Sequence, residues 1–155
     1  MLNEYLNSPV MATVLLLAGA GIPVMAALNA GLGSRLGHPV PAAFVLFAFA
    51  LAMTTLLAFF NPLPAKSDLF STPVYFYLGG AFIVFYVIAI TLIAPKFGLG
   101  NSIFFVLLGQ IFAATLIDHL GLLGLPQVPV AYRRVIGLVF VAMGVFLFKK
   151  PVAVL

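Results

Sequence analysis

Five runs of about 20 mostly apolar residues fill most of this 155-residue chain, and they restrict what it can fold into. An α-helix rises 1.5 Å per residue, so about 20 residues cross the roughly 30 Å hydrocarbon core of a bilayer. The connections between the runs are too short to form a separate soluble domain. We therefore predict a single membrane domain over residues 1–155 with five transmembrane helices, at approximately 10–30, 39–60, 73–94, 101–120 and 132–148.

The composition supports an all-α integral membrane protein. Hydrophobic residues make up 65% of the chain, charged residues only 6%, and the mean hydropathy is +1.28. A soluble domain has about 25% charged residues, so this chain has too few of them to cover its apolar surface in water. None of the apolar runs alternates with a period of two as barrel strands do. Helices are then the structure that pairs every backbone polar group inside lipid.

The positive charges flank the apolar runs and leave the orientation in the membrane almost undetermined. They do not form a basic patch, so no nucleic-acid partner is predicted. With five spans, one side of the membrane receives Lys66, Arg133 and Arg134, and the other receives Arg35, Lys96, Lys149 and Lys150. Three cations against four is a weak bias under the positive-inside rule. Two interpretations stay open: one orientation with the N-terminus outside, and insertion in both orientations.

The odd number of spans favours a pair of subunits inserted in opposite senses. Many secondary transporters contain two inverted halves related by an axis in the membrane plane. This sequence shows no convincing internal repeat, so a second copy of the chain would have to supply the other half. Gly137 and Gly144 lie one heptad apart on the fifth helix, and we predict that they mark the contact between subunits. Packing within the subunit is the alternative use of such small residues.

Three polar side chains within the spans are candidates for contact with a small-molecule substrate. Gln110 lies near the middle of the fourth span, where its amide either bonds another helix or contacts substrate. Asn29 closes the first predicted span, where it either caps the helix or faces an aqueous cavity. Tyr86 lies deep in the third span, so its hydroxyl needs an internal partner or a ligand.

Asp118 and His119 are candidates for coupling or gating. Asp118 lies eight residues after Gln110, on roughly the same helix face and about 12 Å further along the axis. An acid within an apolar run is expensive and often functional, and imidazole titrates near neutral pH. The alternative is a helix end at the membrane surface, with a solvated Asp–His pair.

The first span contains signals for an interruption. Gly19, Gly21 and Pro23 predict a break or bend there, and interrupted helices often line transporter sites. Met25 follows directly and is predicted to form an apolar wall of such a site.

The sequence does not indicate an enzyme. It contains no recognisable hydrolase, metalloprotease or phosphate-binding motif and no cysteine. Two histidines and three acids offer few ligands for a metal, so no metal or other cofactor is predicted.

Nearly the whole chain resembles the small YdcZ-like branch of the drug/metabolite transporter superfamily. The most distinctive stretch begins at Gly109-Gln110 and continues through residues 117–126 (IDHLGLLGLP). The other matching motifs are residues 21–33 (GIPVMAALNAGLG), 36–39 (LGHP), 79–82 (GGAF), 86–87 (YV), 94–98 (APKFG), and then Arg133, Arg134 and Gly137.

The resemblance implies five helices per chain, paired as two inverted halves into a ten-helix transporter in the bacterial inner membrane. The family often has glutamine where this chain has Met25. Its smallest multidrug-exporting relatives use a glutamate in the first helix, and no acid occurs in the first span here. We therefore expect a secondary transporter of an unidentified small molecule, working by alternating access. Its central cavity would be lined by the first, third and fourth helices of both subunits. The alternatives are a non-transporting membrane partner and a lipid-translocating protein that uses Arg133 and Arg134.

Overall fold

The computed structural model describes residues 8–61 and 63–148, and in these ranges it contains helices and no strand. The α-helices are Ser8–Leu36 (α1), Pro39–Ala58 (α2), Lys66–Ser71 (α3), Gly79–Phe97 (α4), Leu99–Leu120 (α5) and Tyr132–Phe148 (α6). Short 3-10 helices cover Val74–Leu78 and Leu122–Gly124. The chain divides into two compact units, Met1–Lys96 and Phe97–Leu155, which are described separately below.

Among the described residues, four helical segments are long and apolar enough to cross a membrane, judged by length and composition. They are Pro9–Leu36, Pro39–Ala58, Val74–Phe97 and Leu99–Leu120. The predicted all-α membrane class is thereby confirmed. α6 has 17 residues, and Lys149 and Lys150 after it lie outside the described residues, as does Pro62 in the connection after α2. The fifth span therefore stays a prediction.

α1 is longer than predicted, and this changes the position of Asn29. The helix continues to Leu36, six residues beyond the predicted end at residue 30. It stops where Gly37 adopts a positive φ of 75°, two residues before Pro39. Asn29 therefore lies inside the helix, and its predicted role as a helix cap is wrong.

The predicted interruption of α1 is also absent. The segment that contains Gly19, Gly21 and Pro23 is helical throughout, with Pro23 inside the helix. Proline removes one backbone N–H, but the apolar sequence on both sides continues the helix past it. Whether α1 bends at Pro23 stays a prediction.

Local side-chain contacts explain where the next helices begin. His38 precedes α2, and its Nδ1 accepts a hydrogen bond from the Val40 backbone N–H at 3.2 Å. α5 begins at Leu99, after Gly98 with its φ of 89°, so Asn101 and Ser102 lie inside its first turn and not before it. Those two side chains instead donate to the backbone oxygens four residues earlier, those of Phe97 and Gly98.

The core of the first unit consists mostly of small side chains. Buried positions on α1 and α4 recur with spacings of three and four residues, so each set occupies one helix face. They are Ala26, Asn29, Ala30 and Gly33 on α1, and Val87, Ile90, Thr91 and Ala94 on α4, with Ala42 and Ala43 buried on α2. Small residues let helix backbones approach closely in lipid, where van der Waals packing drives association.

Large apolar side chains cover the outside of the described helices. Leu16 on α1 and Phe82 on α4 are each 74% exposed, and Phe146 on α6 is 81% exposed. Side chains of this kind are stable on a surface that contacts hydrocarbon. Their placement agrees with lipid as the solvent around these helices.

Replacing Gly33 by alanine is expected to destabilise the α1–α4 contact. A Cβ at this position would lie 2.7 Å from Thr91 Cγ2, and the Thr91 side chain cannot turn freely because its hydroxyl is bonded to Asn29. Forced overpacking of this kind costs about 1–3 kcal/mol. Thermal unfolding in detergent, followed by circular dichroism, should show a lower midpoint for Gly33→Ala.

Gly31→Ala is the matched control for this experiment. A Cβ at Gly31 would meet no atom within 4 Å, so the higher helix propensity of alanine should leave stability unchanged or raise it by up to about 1 kcal/mol. Thr91→Ser removes Cγ2 and keeps the hydroxyl, so it should rescue Gly33→Ala. Equal unfolding midpoints for Gly31→Ala and Gly33→Ala would contradict the packing described here.

Candidate substrate cavity and its polar residues

Asn29 connects α1 to α4 through the interior of the first unit. Its side chain is 3% exposed, and Nδ2 donates a hydrogen bond to Thr91 Oγ1 at 2.5 Å. This bond joins residues 62 positions apart in the sequence. Apolar or small side chains surround both residues on their own helices: Ala26 and Ala30 beside Asn29, and Ile90 and Ala94 beside Thr91.

The side-chain carbonyl oxygen of Asn29 is unpaired among the described residues. Oδ1 is buried and accepts no hydrogen bond within the part of the chain that the structure describes. Leaving a buried acceptor unpaired costs about 1–3 kcal/mol, and native proteins contain few such groups. The Asn29 carbonyl oxygen is therefore available to accept a hydrogen bond from a ligand.

A cavity of about 440 Å³ lies between α1 and α2 in the same unit. Its wall consists of Met25, Leu28, Asn29 and Leu32 from α1, and Val45, Leu46, Phe49 and Ala50 from α2. Mostly apolar walls with one or two placed polar groups are typical of small-molecule sites, which range from about 300 to 1,000 Å³. The structure thus brings two predicted substrate-contact residues, Met25 and Asn29, into one wall.

Tyr86 lies near the middle of α4. Its side chain is half-buried on α4, and its hydroxyl is buried without a hydrogen-bond partner among the described residues. It does not line the cavity between α1 and α2. Its predicted contact with a ligand stays a prediction.

Gln110 lies in the second unit, at the twelfth of the 22 residues of α5. Its side chain is exposed, and no described residue forms a hydrogen bond with it. An amide at this depth in a membrane helix needs a hydrogen-bond partner, because hydrocarbon offers none. Both predicted roles, a bond to another helix and a contact with substrate, stay predictions.

Asp118 pairs with an arginine and not with its neighbour His119. Its Oδ2 accepts a hydrogen bond from Arg134 Nη2 at 2.6 Å, and the two side chains are 30% and 40% exposed, respectively. At this exposure an ion pair contributes about 0–1 kcal/mol. The pair joins the last turn of α5 to the beginning of α6. The sequence placed Arg134 at a span entry but offered no signal for this specific partner.

His119 binds the connection between α5 and α6. Its Nδ1 accepts from the Val130 backbone N–H at 3.3 Å, and its backbone oxygen accepts from Gln127 Nε2 at 2.9 Å. The alternative prediction, a solvated Asp–His pair at a helix end, is therefore wrong about the pairing. Asp118 and His119 do lie at a helix end, but each side chain bonds a different residue. Gln127 was not recognised from the sequence, because it lies in a loop without a motif. The coupling or gating role of Asp118 and His119 stays a prediction.

The second unit contains an apolar cavity of about 490 Å³ between α5 and α6. Its lining comprises Phe105, Leu108, Gly109, Phe112, Leu138, Val139 and Ala142. None of these side chains forms hydrogen bonds. On α6, Gly137 and Gly144 are exposed, and a Cβ added at either would meet no atom within 4 Å. Their face is thus open within the described part of this unit, and their role in a subunit contact stays a prediction.

In the described part of the chain, no three histidine, cysteine or acidic side chains are close enough to hold a metal ion. The chemistry that the first unit offers is binding: an apolar wall, one unsatisfied carbonyl and no charged group in the cavity lining.

Comparison with known proteins identifies the family. Residues 10–147 match the family model described as "Putative inner membrane exporter, YdcZ". The match covers most of the chain and includes the four helical segments that qualify as membrane spans, except for Pro9 at the start of the first. Searches of curated proteins and of solved structures find no match. The apolar helices and the family together place the protein in the inner membrane as a multi-pass protein, as predicted. The chain belongs to the YdcZ family of the drug/metabolite transporters.

Proposed function

We propose that this protein is a secondary transporter that moves a small molecule across the inner membrane by alternating access. The observation that supports this best is the cavity between α1 and α2, with the unsatisfied Asn29 carbonyl buried in the membrane-spanning region. A polar group without a partner in hydrocarbon is costly and is typical of transport pathways. The family, described as exporters, agrees with transport in general.

The working unit in this proposal is an antiparallel homodimer of five-span subunits, with α6 as the fifth span. Two inverted copies would form the ten-helix arrangement that other transporters obtain by internal duplication. The exposed glycines Gly137 and Gly144 on α6 would allow close approach of a second copy. Three cations on one side of the membrane against four on the other leave both orientations accessible.

Gln110 and Tyr86 would supply further polar contacts to the substrate. Gln110 is exposed near the middle of α5, and the Tyr86 hydroxyl on α4 has no partner among the residues that the structure describes. Asp118 would act at the end of α5 as part of a gate, since its ion pair with Arg134 joins α5 to α6 and is weak enough to open during a cycle.

Transport by purified protein in liposomes tests this proposal. A panel of small solutes is loaded, and flux is compared between the parent and Gln110→Met, which keeps the length of the side chain and removes its hydrogen bonds. Losing one neutral hydrogen bond to substrate should lower the initial rate roughly 2- to 12-fold. Leu107→Met, one turn away and also exposed, is the matched control and should transport like the parent.

The same liposomes separate the proposal from its rivals. Movement of a labelled phospholipid without flux of any solute would contradict solute transport and indicate lipid translocation. Absence of both activities would favour a non-transporting membrane partner. Solute flux that Gln110→Met leaves unchanged would remove Gln110 from the site while leaving the transporter proposal in place.

A further inference from the structure

The side chains that line the cavity between α1 and α2 restrict the chemistry of the ligand it can bind. Asn29 is the one residue among the eight in its wall whose side chain forms hydrogen bonds. Its Nδ2 is occupied by Thr91 Oγ1, and its Oδ1 has no partner among the described residues. The free group is therefore an acceptor, which pairs with a donor on a ligand and not with another acceptor.

The described residues that line this cavity offer no counter-ion to a charged ligand. Arg35 and Lys96 are the only charged side chains in α1, α2 and α4, and both lie in the last turn of their helix. Arg35 follows Asn29 by six residues, about 9 Å along the axis. A cation or anion placed beside Met25 and Phe49 would lose its hydration without gaining an opposite charge, which is strongly unfavourable.

The apolar side chains of the cavity wall determine which shape and polarity the body of the ligand can have. Leu28, Leu32, Val45 and Leu46 present aliphatic surface, and Met25 and Phe49 present a polarisable thioether and an aromatic ring. These groups favour an apolar body, and favour flat or aromatic shapes in particular. Because Asn29 Oδ1 is covered in this conformation, a ligand reaches it only after its neighbours move, as an alternating-access cycle requires.

We propose that the cavity between α1 and α2 selects an uncharged molecule with an apolar body and a hydrogen-bond donor, and that Asn29 Oδ1 accepts that bond. This inference rests on the proposed transport function, since it names the substrate class of the same site. Turning the amide over would present an N–H instead and select acceptors. The probes below distinguish these two orientations.

Four small probes test the substrate class on the purified full-length protein in lipid nanodiscs. Indole has one N–H and no charge, and 1-methylindole keeps the ring but lacks the N–H. Quinoline offers only an acceptor, and tryptamine adds an ammonium group. Affinities come from the rise in unfolding temperature with probe concentration. The parent should bind indole roughly 2- to 12-fold more tightly than 1-methylindole, which is the effect of one neutral hydrogen bond.

Two variants connect this preference to Asn29. Asn29→Leu removes the amide at similar volume, so it should bind indole and 1-methylindole equally. Thr91→Val breaks the same α1–α4 hydrogen bond but leaves Oδ1 in place, so it should keep the preference for indole. Comparison of variants in identical nanodiscs cancels the partition of each probe into lipid. If Asn29→Leu does not fold, the relative affinities of the parent for the four probes still test the proposed substrate class.

Three results would overturn the inference: equal affinity of the parent for indole and 1-methylindole, tightest binding of quinoline, or tightest binding of tryptamine. The outcome is separate from the transport experiment. A preference for indole without solute flux would reject transport and keep the site. Flux of charged solutes without a preference for indole would keep transport and reject the substrate class.

Discussion

Filling the cavity with Ala50→Phe is expected to reduce transport strongly in a protein that still folds. Ala50 lies in the α2 wall of the cavity and is exposed, so the added ring projects into space that the substrate would occupy. Overpacking a site costs about 1–3 kcal/mol, which corresponds to a loss of roughly 5- to 150-fold in affinity. Initial rates of solute flux in liposomes at low substrate concentration measure this loss.

Ala48→Phe is the control, because it makes the same substitution on the same helix. Position 48 is rotated by about 200° from Ala50 and by about 100° from Phe49, and it is not part of the cavity lining. Ala48 is also exposed and should accept a phenylalanine on the lipid side without loss of flux. Similar rates for Ala50→Phe and the parent would show that substrate does not pass through this cavity.

The membrane helices followed from the sequence because hydrocarbon leaves the backbone few alternatives. Apolar runs longer than about 18 residues with almost no charge have to pair their backbone groups internally, and a helix achieves this within one segment. The ends of the helices were less predictable. α1 passed through Asn29, which looked like a cap, because that amide finds a partner on α4 instead of on its own backbone.

The candidate site could be predicted only in part, because some of its contacts join residues that are distant in the sequence. Met25 and Asn29 are four residues apart on one helix, so their common face follows from helical periodicity. Thr91 is 62 residues from Asn29, and no motif in the sequence connects the two side chains. The restriction on Gly33 likewise depends on Thr91 Cγ2, an atom of another helix. Arg134, the partner of Asp118, was missed because pairing across a loop depends on the path of the connection.

Forcing the chain into one orientation is expected to abolish transport, and mixing the two orientations should restore it. The double variant Lys66→Gln/Arg133→Gln reduces the three cations on one side of the membrane to one and leaves four on the other side. The triple variant Arg35→Gln/Lys149→Gln/Lys150→Gln leaves the three cations on the first side and reduces the four on the other side to one. Under the positive-inside rule these two variants should insert in opposite orientations. An inverted dimer needs one subunit of each orientation, so neither variant should work alone.

The absence of cysteine makes the orientation directly measurable. Ser67→Cys places a single exposed thiol in the connection between α2 and α4, where a membrane-impermeant maleimide reaches it from one face only. In the parent, about half of the thiols should react from each face, whereas each charge variant should react from a single face. Transport should fall to background in each charge variant and recover when both are expressed in the same cell. Full activity of either charge variant alone, with one-sided labelling, would reject the inverted pair, because a chain in one orientation would then complete the pathway without an opposite partner.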